Sequence, residues 1–236
     1  MDLAELARIL EEREPALSLM AREKVLKFYT LLREENQVQN LTRLVEPLAF
    51  YQGHFIDVRE LLKTGWMDYP AMDLGSGVGV PGLLSAVLSS DSAKTPWVLA
   101  ESEKRKAEYL EKTVNNLDLA PFVRVFHGRA EEFLKSNSVQ SIVVRAVGTV
   151  EKIYSWVREC STWNNLILLK GPKWEEEWLS FSQSRFRKEL VIESEYSYGV
   201  AANSAEFGDQ PKSRKILKLT RVPRGTSNTR KVLRTQ

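Results

Sequence analysis

Apolar residues in the first quarter of the chain recur every three or four positions. Leu3, Leu6, Ile9 and Leu10 trace one face of a helix predicted over residues 2–14. Pro15 stands where a second helix is expected to begin. Leu17, Met20, Val25, Phe28, Leu31 and Leu32 then carry an approximate 3.6-residue stripe to about Glu35. A third helix is expected from about Pro47 to Leu62, closed by Gly65. Such stripes are the core faces of helices rather than binding surfaces. After Tyr69 the pattern changes to short apolar runs alternating with amphipathic stretches. Strands are predicted at 71–74, 97–100, 122–126, 139–144 and 166–169, with helices at 82–88, 104–116, 131–134 and 150–159. Strands alternating with helices imply an α/β fold: a mostly parallel sheet covered on both faces. Two more strand-like segments, 189–198 and 215–222, follow with no helix predicted between them and fit an antiparallel hairpin at the sheet edge. The expected organisation is a helical extension (1–66), an α/β domain (67–222) and a tail (223–236).

Composition narrows the class. The chain has 236 residues, 43% hydrophobic and 28% charged, which is globular rather than disordered or fibrous. A single cysteine, Cys160, excludes an internal disulfide and a cysteine-rich zinc site, and two histidines, His54 and His127, leave little for a metal. No apolar run approaches the roughly 18 residues of a membrane span. The acidic start Met1-Asp2-Leu3-Ala4-Glu5 is unlike a signal peptide. The expectation is a soluble, cytoplasmic, metal-free monomer. Net charge is only +3, but the tail carries Arg224, Arg230, Lys231 and Arg234 with no acid. It is expected to be disordered, and its charge suits contact with phosphates.

The most informative segment runs Asp73-Leu74-Gly75-Ser76-Gly77-Val78-Gly79-Val80-Pro81-Gly82, between a predicted strand and a predicted helix. Glycines there let the backbone turn sharply and approach a ligand. Gly77 to Gly82 match the dinucleotide fingerprint G-x-G-x-x-G, and Glu101 lies 19 positions beyond, at the end of the next strand, where it can hold a ribose. Two cofactors therefore compete. A nicotinamide dinucleotide brings a pyrophosphate, for which Asp73 is a like-charge neighbour. S-adenosyl-L-methionine brings a sulfonium and an ammonium, which Asp73 suits directly or through the loop. The extra Gly75 ahead of the fingerprint also favours S-adenosyl-L-methionine.

Further stretches carry a family resemblance: Asn40-Leu41-Thr42, His54 with Asp57, Asp73 to Gly82, Glu101 to Leu110, Gly128-Arg129-Ala130-Glu131-Glu132-Phe133, Arg145-Ala146 and Leu169-Lys170-Gly171. In this order, across roughly residues 40–220, the chain resembles the bacterial 16S rRNA guanine-N7 methyltransferases, the glucose-inhibited division protein B family. The resemblance implies a class I S-adenosylmethionine-dependent methyltransferase fold (Rossmann-like): a seven-stranded sheet, mostly parallel with an antiparallel edge, plus an N-terminal helical extension. It implies 16S rRNA in the small ribosomal subunit as partner, and S-adenosyl-L-homocysteine as product. The chain departs from the family at three places. Val58 replaces a Ser after the histidine pattern, Gln140-Ser141 stand where an acid is usual, and Val144 replaces the Ser before Arg145.

Guanine N7 bears a free lone pair and no proton, so its methylation needs alignment rather than a general base. The chain agrees by omission. Exocyclic-amine enzymes resemble one another in an Asn/Asp-Pro-Pro-aromatic motif where this chain has Arg145-Ala146-Val147-Gly148. Carbon-5 enzymes need a cysteine nucleophile, and Cys160 is expected within a helix away from the strand ends. On this reading Gly75, Gly77, Gly79 and Val80 frame the methionine part of the cofactor, with Asp73 behind them, and Glu101 takes the ribose. Arg145, at the end of the fourth strand, bridges cofactor and substrate, unless it forms only a surface ion pair. Lys170, at the end of the fifth, contacts phosphate or guanine, unless it is simply solvated. Arg105 and Lys106 suit RNA phosphates. The resemblance further implies that Ala130 and Glu131 border the adenine and that Asn40 and His54 line the guanine site. Two other functions stay open: a non-catalytic ribosome-assembly factor that binds S-adenosyl-L-methionine, and a NAD-dependent oxidoreductase.

Overall fold

A computed structural model describes residues 2–89, 95–200 and 212–222. The predicted tail, 223–236, lies outside them. The N-terminal extension comprises α1 (Asp2–Arg13), α2 (Leu19–Gln39), α3 (Pro47–Phe50), a π turn (Tyr51–Phe55) and α4 (Ile56–Thr64). Helix α2 begins at Leu19 rather than Pro15, because the Ser18 hydroxyl accepts from the Ala21 N–H (3.0 Å) and caps it there. It runs on to Gln39, where Asn40 ends it in the left-handed conformation. The third predicted helix is one run of backbone interrupted by the π turn.

Five parallel strands follow: β1 (Ala71–Leu74), β2 (Trp97–Glu101), β3 (Val123–His127), β4 (Ser141–Arg145) and β5 (Asn165–Lys170). The hairpin of β6 (Leu190–Val200) and β7 (Lys212–Arg221) completes a seven-stranded sheet of order β3-β2-β1-β4-β5-β7-β6. β7 pairs antiparallel with β5. Strands β1, β2 and β5 are buried throughout and read as continuous apolar runs, whereas edge strand β6 alternates between covered and exposed positions. The expected architecture, mostly parallel with an antiparallel edge, is the one observed.

Helices cover both faces. The extension, α5 (Gly82–Leu88) and α6 (Lys104–Asn116) enclose one core around Phe28, Phe50, Leu61, Leu83 and Leu110. On the other face α7 (Ala130–Leu134), α8 (Val150–Val157) and α9 (Trp174–Gln183) pack around Ile142, Tyr154, Trp163 and Phe181. Helix α9 was absent from the expected elements. Cys160 lies past the end of α8 rather than within it, and is buried with its thiol against the Glu131 carbonyl (3.8 Å). Because β1 pairs with both β2 and β4, the connections reverse direction there, and the carboxyl ends of these strands form the crevice where such sheets hold ligands.

Candidate functional site

The turn after β1 is built around close contacts. It takes positive φ at Gly75, Gly77 and Gly79. A Cβ at Gly75 would stand 2.8 Å from a Val147 methyl, so the turn could not lie so near the segment after β4. At Gly82 a Cβ would meet Asp73 Cβ at 2.6 Å and a Leu99 methyl at 2.7 Å, so only glycine lets α5 press onto β1 and β2. Asp73 is 1% exposed, and its Oδ2 accepts from the Gly82 N–H (2.8 Å). Burial pushes its carboxyl up to about 7, against the pull of that N–H, and Oδ1 has no hydrogen-bond partner among the described residues. Glu101 is also buried: Oε2 accepts from the Gly77 N–H (2.9 Å) and Oε1 from the Glu103 N–H (2.8 Å). Two amides of the glycine segment are thus already taken by acidic side chains and are not free to donate to a pyrophosphate. This argues against the dinucleotide reading. Val80 packs into the core instead of facing the crevice.

Above this turn lies a crevice of about 90 Å³, lined by Leu74, Gly75, Ala100, Ser102, Gly128, Arg129, Ala130, Glu131, Val147 and Trp156. It collects the carboxyl ends of β1 and β2, the start of α7 and one side of α8. The small residues leave room for a flat ring; of the residues expected at the cofactor, Gly75, Ala130 and Glu131 line this crevice, whereas Asp73, Gly77, Gly79 and Glu101 lie outside its wall, Glu101 between the lining residues Ala100 and Ser102. The arrangement fits an adenosine-bearing cofactor in chemistry. In size it is narrow, since ligand pockets run to several hundred Å³. The Arg129 guanidinium, which lies over the Trp156 ring (5.5 Å) and pairs with Glu131 (2.6 Å), narrows one side.

A larger cavity of about 480 Å³ lies across the Arg145–Thr149 turn, at the ends of β4 and β5, and is closed by the extension and the edge hairpin. Arg145 Nη1 donates to the Gly53 carbonyl (2.5 Å) and to Asp57 Oδ2 (2.8 Å), and Nη2 donates to His54 Nδ1 (2.7 Å). A guanidinium has no acceptor, so Nδ1 accepts and the ring proton sits on Nε2, facing the Thr42 hydroxyl (3.3 Å). His54 is 1% exposed, and burial, with Arg145 and Arg214 nearby, holds its pKa well below the usual value. It stands behind Arg145 as a neutral acceptor, not at the cavity wall. Lys170 is 9% exposed and donates to the Gly148 carbonyl (2.7 Å) and to Glu177 (2.6 Å), so it is not a solvated surface lysine. Arg145 likewise pairs inward rather than on the surface. Asn40 is exposed at the end of α2 and does not line either cavity. Arg105 reaches the Val38 carbonyl (3.4 Å), and Lys106 pairs with Glu103 (2.6 Å).

Sequence reasoning missed Tyr198, Arg214 and Glu177, and gave Asp57 no role. A signal existed for one of them: Tyr196 and Tyr198 alternate on one face of β6, and their hydroxyls donate to Glu60 and Asp57 (both 2.7 Å). Two departures from the family pattern, Val58 and Val144, are buried core positions where a valine is at home. Among the described residues no group of three or more potential ligands could hold a metal, and no helix is long and apolar enough to cross a membrane.

Comparison with known proteins gives a family. The family model described as "GidB: rRNA small subunit methyltransferase G" matches residues 21–201. The chain is 34% identical over 183 residues to a ribosomal RNA small subunit methyltransferase G of Rhodopirellula baltica, covering 72% of this chain and 77% of that one. It is 32% identical over 160 residues to the protein of that name in Mesoplasma florum, covering 66% of each. Among solved structures, M. capricolum TrmK in complex with S-adenosyl-homocysteine aligns with a TM-score of 0.48 at 12% identity, over 69% of this chain and 67% of that one.

Proposed function

This chain belongs to the GidB family, rRNA small subunit methyltransferase G, and from that membership we propose that it transfers a methyl group from S-adenosyl-L-methionine to N7 of a guanine in 16S rRNA. The observation that carries the reading is the pair of cavities on either side of one turn: a crevice suited to a nucleoside, and a cavity lined by Arg145, Lys170 and Arg214. Bound in the crevice, the cofactor supplies a methyl carbon activated by a sulfonium. Gly75 would face its amino-acid part, with Gly77 and Gly79 shaping the turn behind it, Glu101 would take its ribose and Glu131 its adenine, while Asp73 holds the turn from beneath through Gly82.

The residues around the larger cavity suit an acceptor that gives up no proton. His54 is neutral and both ring nitrogens face polar partners, and Lys170 is tied to Glu177. Neither is poised as a general base, and alkylation at N7 asks for none. The N7–methyl bond forms as the sulfur–methyl bond breaks, so the chain has only to align the two. Arg145 spends three of its five N–H donors on Gly53, Asp57 and His54. Its remaining donors suit guanine O6 or a flanking phosphate. A donor at N7 itself would tie up the attacking lone pair, so the bidentate arginine–guanine contact common in nucleic-acid recognition is unproductive here.

The test is incubation of purified protein with small ribosomal subunits lacking the modification and a labelled methyl donor, followed by mapping of N7-methylguanine. One methylated guanine in 16S rRNA is the expected result, and it also excludes a non-catalytic assembly factor. Absence of incorporation, or a methyl on another atom, overturns the reading.

A further inference from the structure

Resting on that reading of the site, we propose that Asp57 is a positioning residue: it fixes Arg145 and Arg214 against one another at the acceptor cavity, so that the N-terminal extension completes the site. Asp57 sits on α4, is 5% exposed, and touches three elements of the methyltransferase sheet at once. Its Oδ2 accepts from Arg145 at the end of β4 (2.8 Å), 88 residues away. Its Oδ1 accepts from the Tyr198 hydroxyl on β6 (2.7 Å) and from Arg214 on β7.

One carboxylate between two guanidiniums does two things. It holds the cations close enough to line a common cavity. It also leaves Arg145 with N–H donors beyond those it spends on Asp57, Gly53 and His54, suited to a ribonucleotide phosphate or carbonyl. Without the carboxylate two like charges would face each other and move apart. The Gly53 carbonyl and His54 Nδ1 constrain the rest of the Arg145 fork from the neighbouring π turn, so the arginine's direction is set almost wholly by the extension. Tyr198 donates to Asp57 as a phenol that burial and the carboxylate keep protonated. A buried ion pair adds little net stability, since desolvation offsets attraction, but it does define geometry. Removing one partner leaves a buried charge uncompensated and costs stability as well, so the consequence particular to positioning is the kinetic one, read on folded protein.

In Asp57→Asn, which keeps the shape but loses the charge, kcat for methyl transfer should fall about 100-fold, the usual cost of small misplacements. Affinity for S-adenosyl-L-methionine, measured calorimetrically, should stay within about threefold, because the crevice lies across the turn. The decisive readout is the cycle with Arg145→Ala. If Asp57 acts through Arg145, adding Asp57→Asn to Arg145→Ala costs little more, whereas a merely structural role gives multiplied losses. Wild-type kcat in folded Asp57→Asn, or multiplied losses in the cycle, overturns the inference. Should Asp57→Asn fail to fold, Tyr198→Phe decides: a fall of a few-fold in kcat at unchanged cofactor affinity supports it, and an unchanged kcat overturns it. Wild-type protein assayed alongside separates the two claims, since its failure to methylate small subunits would overturn the functional reading itself.

Discussion

Asp73 carries a carboxyl from the first strand to beneath the glycine turn, with one oxygen bonded to Gly82 and the other unpartnered among the described residues. Burial raises its pKa from 3.8 to about 7. Between those values the folded chain keeps a proton that the unfolded chain has released, so stability contributed by this group falls as pH rises from about 4 to 7. The loss is at most about 4 kcal/mol. Asp73→Asn has no such proton. Urea unfolding of both proteins across that range should therefore show the variant gaining on wild type as pH rises, then a constant difference above about pH 8. A difference independent of pH would show that Asp73 ionises as freely as an exposed acid. This residue and its glycines were legible in the sequence because their geometry is local: ten consecutive positions fold on themselves. The acceptor cavity was legible only in part. Arg145 and Lys170 announce themselves at strand ends, but Asp57, which pairs with Arg145, and Arg214, which shares that carboxylate, lie 157 residues apart, and no spacing rule connects them.

Among the elements, those with strong periodicity stood out in the sequence, and β1 and α5 have the boundaries expected. What periodicity does not encode is where a cap overrides it. Ser18 starts α2 four residues after Pro15, and its replacement by Ala should lower stability by about 1 kcal/mol in urea unfolding with cofactor affinity unchanged. No loss of stability would mean that the helix is held wholly by its buried face. The π turn at Tyr51–Phe55 was also invisible, since one extra residue per turn does not disturb a stripe of Phe50, Phe55 and Ile56. It matters nonetheless, because it carries the carbonyl and the imidazole that grip Arg145. Helix α9 was missed because its apolar face is short: Trp174, Trp178 and Phe181 are spaced as a helix, but only Phe181 is fully covered, and three glutamates fill the first turn.

For the molecule as a whole, the extension is part of the core rather than a cap upon it. Leu6, Phe28, Phe50 and Leu61 share one apolar cluster with Leu83 and Leu110 of the sheet's own helices. Thermal unfolding of the full chain is therefore expected to be a single cooperative transition, and a chain lacking residues 1–66 should lose it. An independent cooperative melt of the shortened chain would show that the boundary at 66 separates autonomous units. One further consequence comes from the Arg145–Thr149 turn, whose Val147 borders the crevice while its Gly148 carbonyl anchors Lys170 on the opposite side. Were occupancy of one room to shift this party wall, the other would feel it. Whatever advantage donor occupancy then gave to RNA capture would be returned in equal measure by the RNA to the donor.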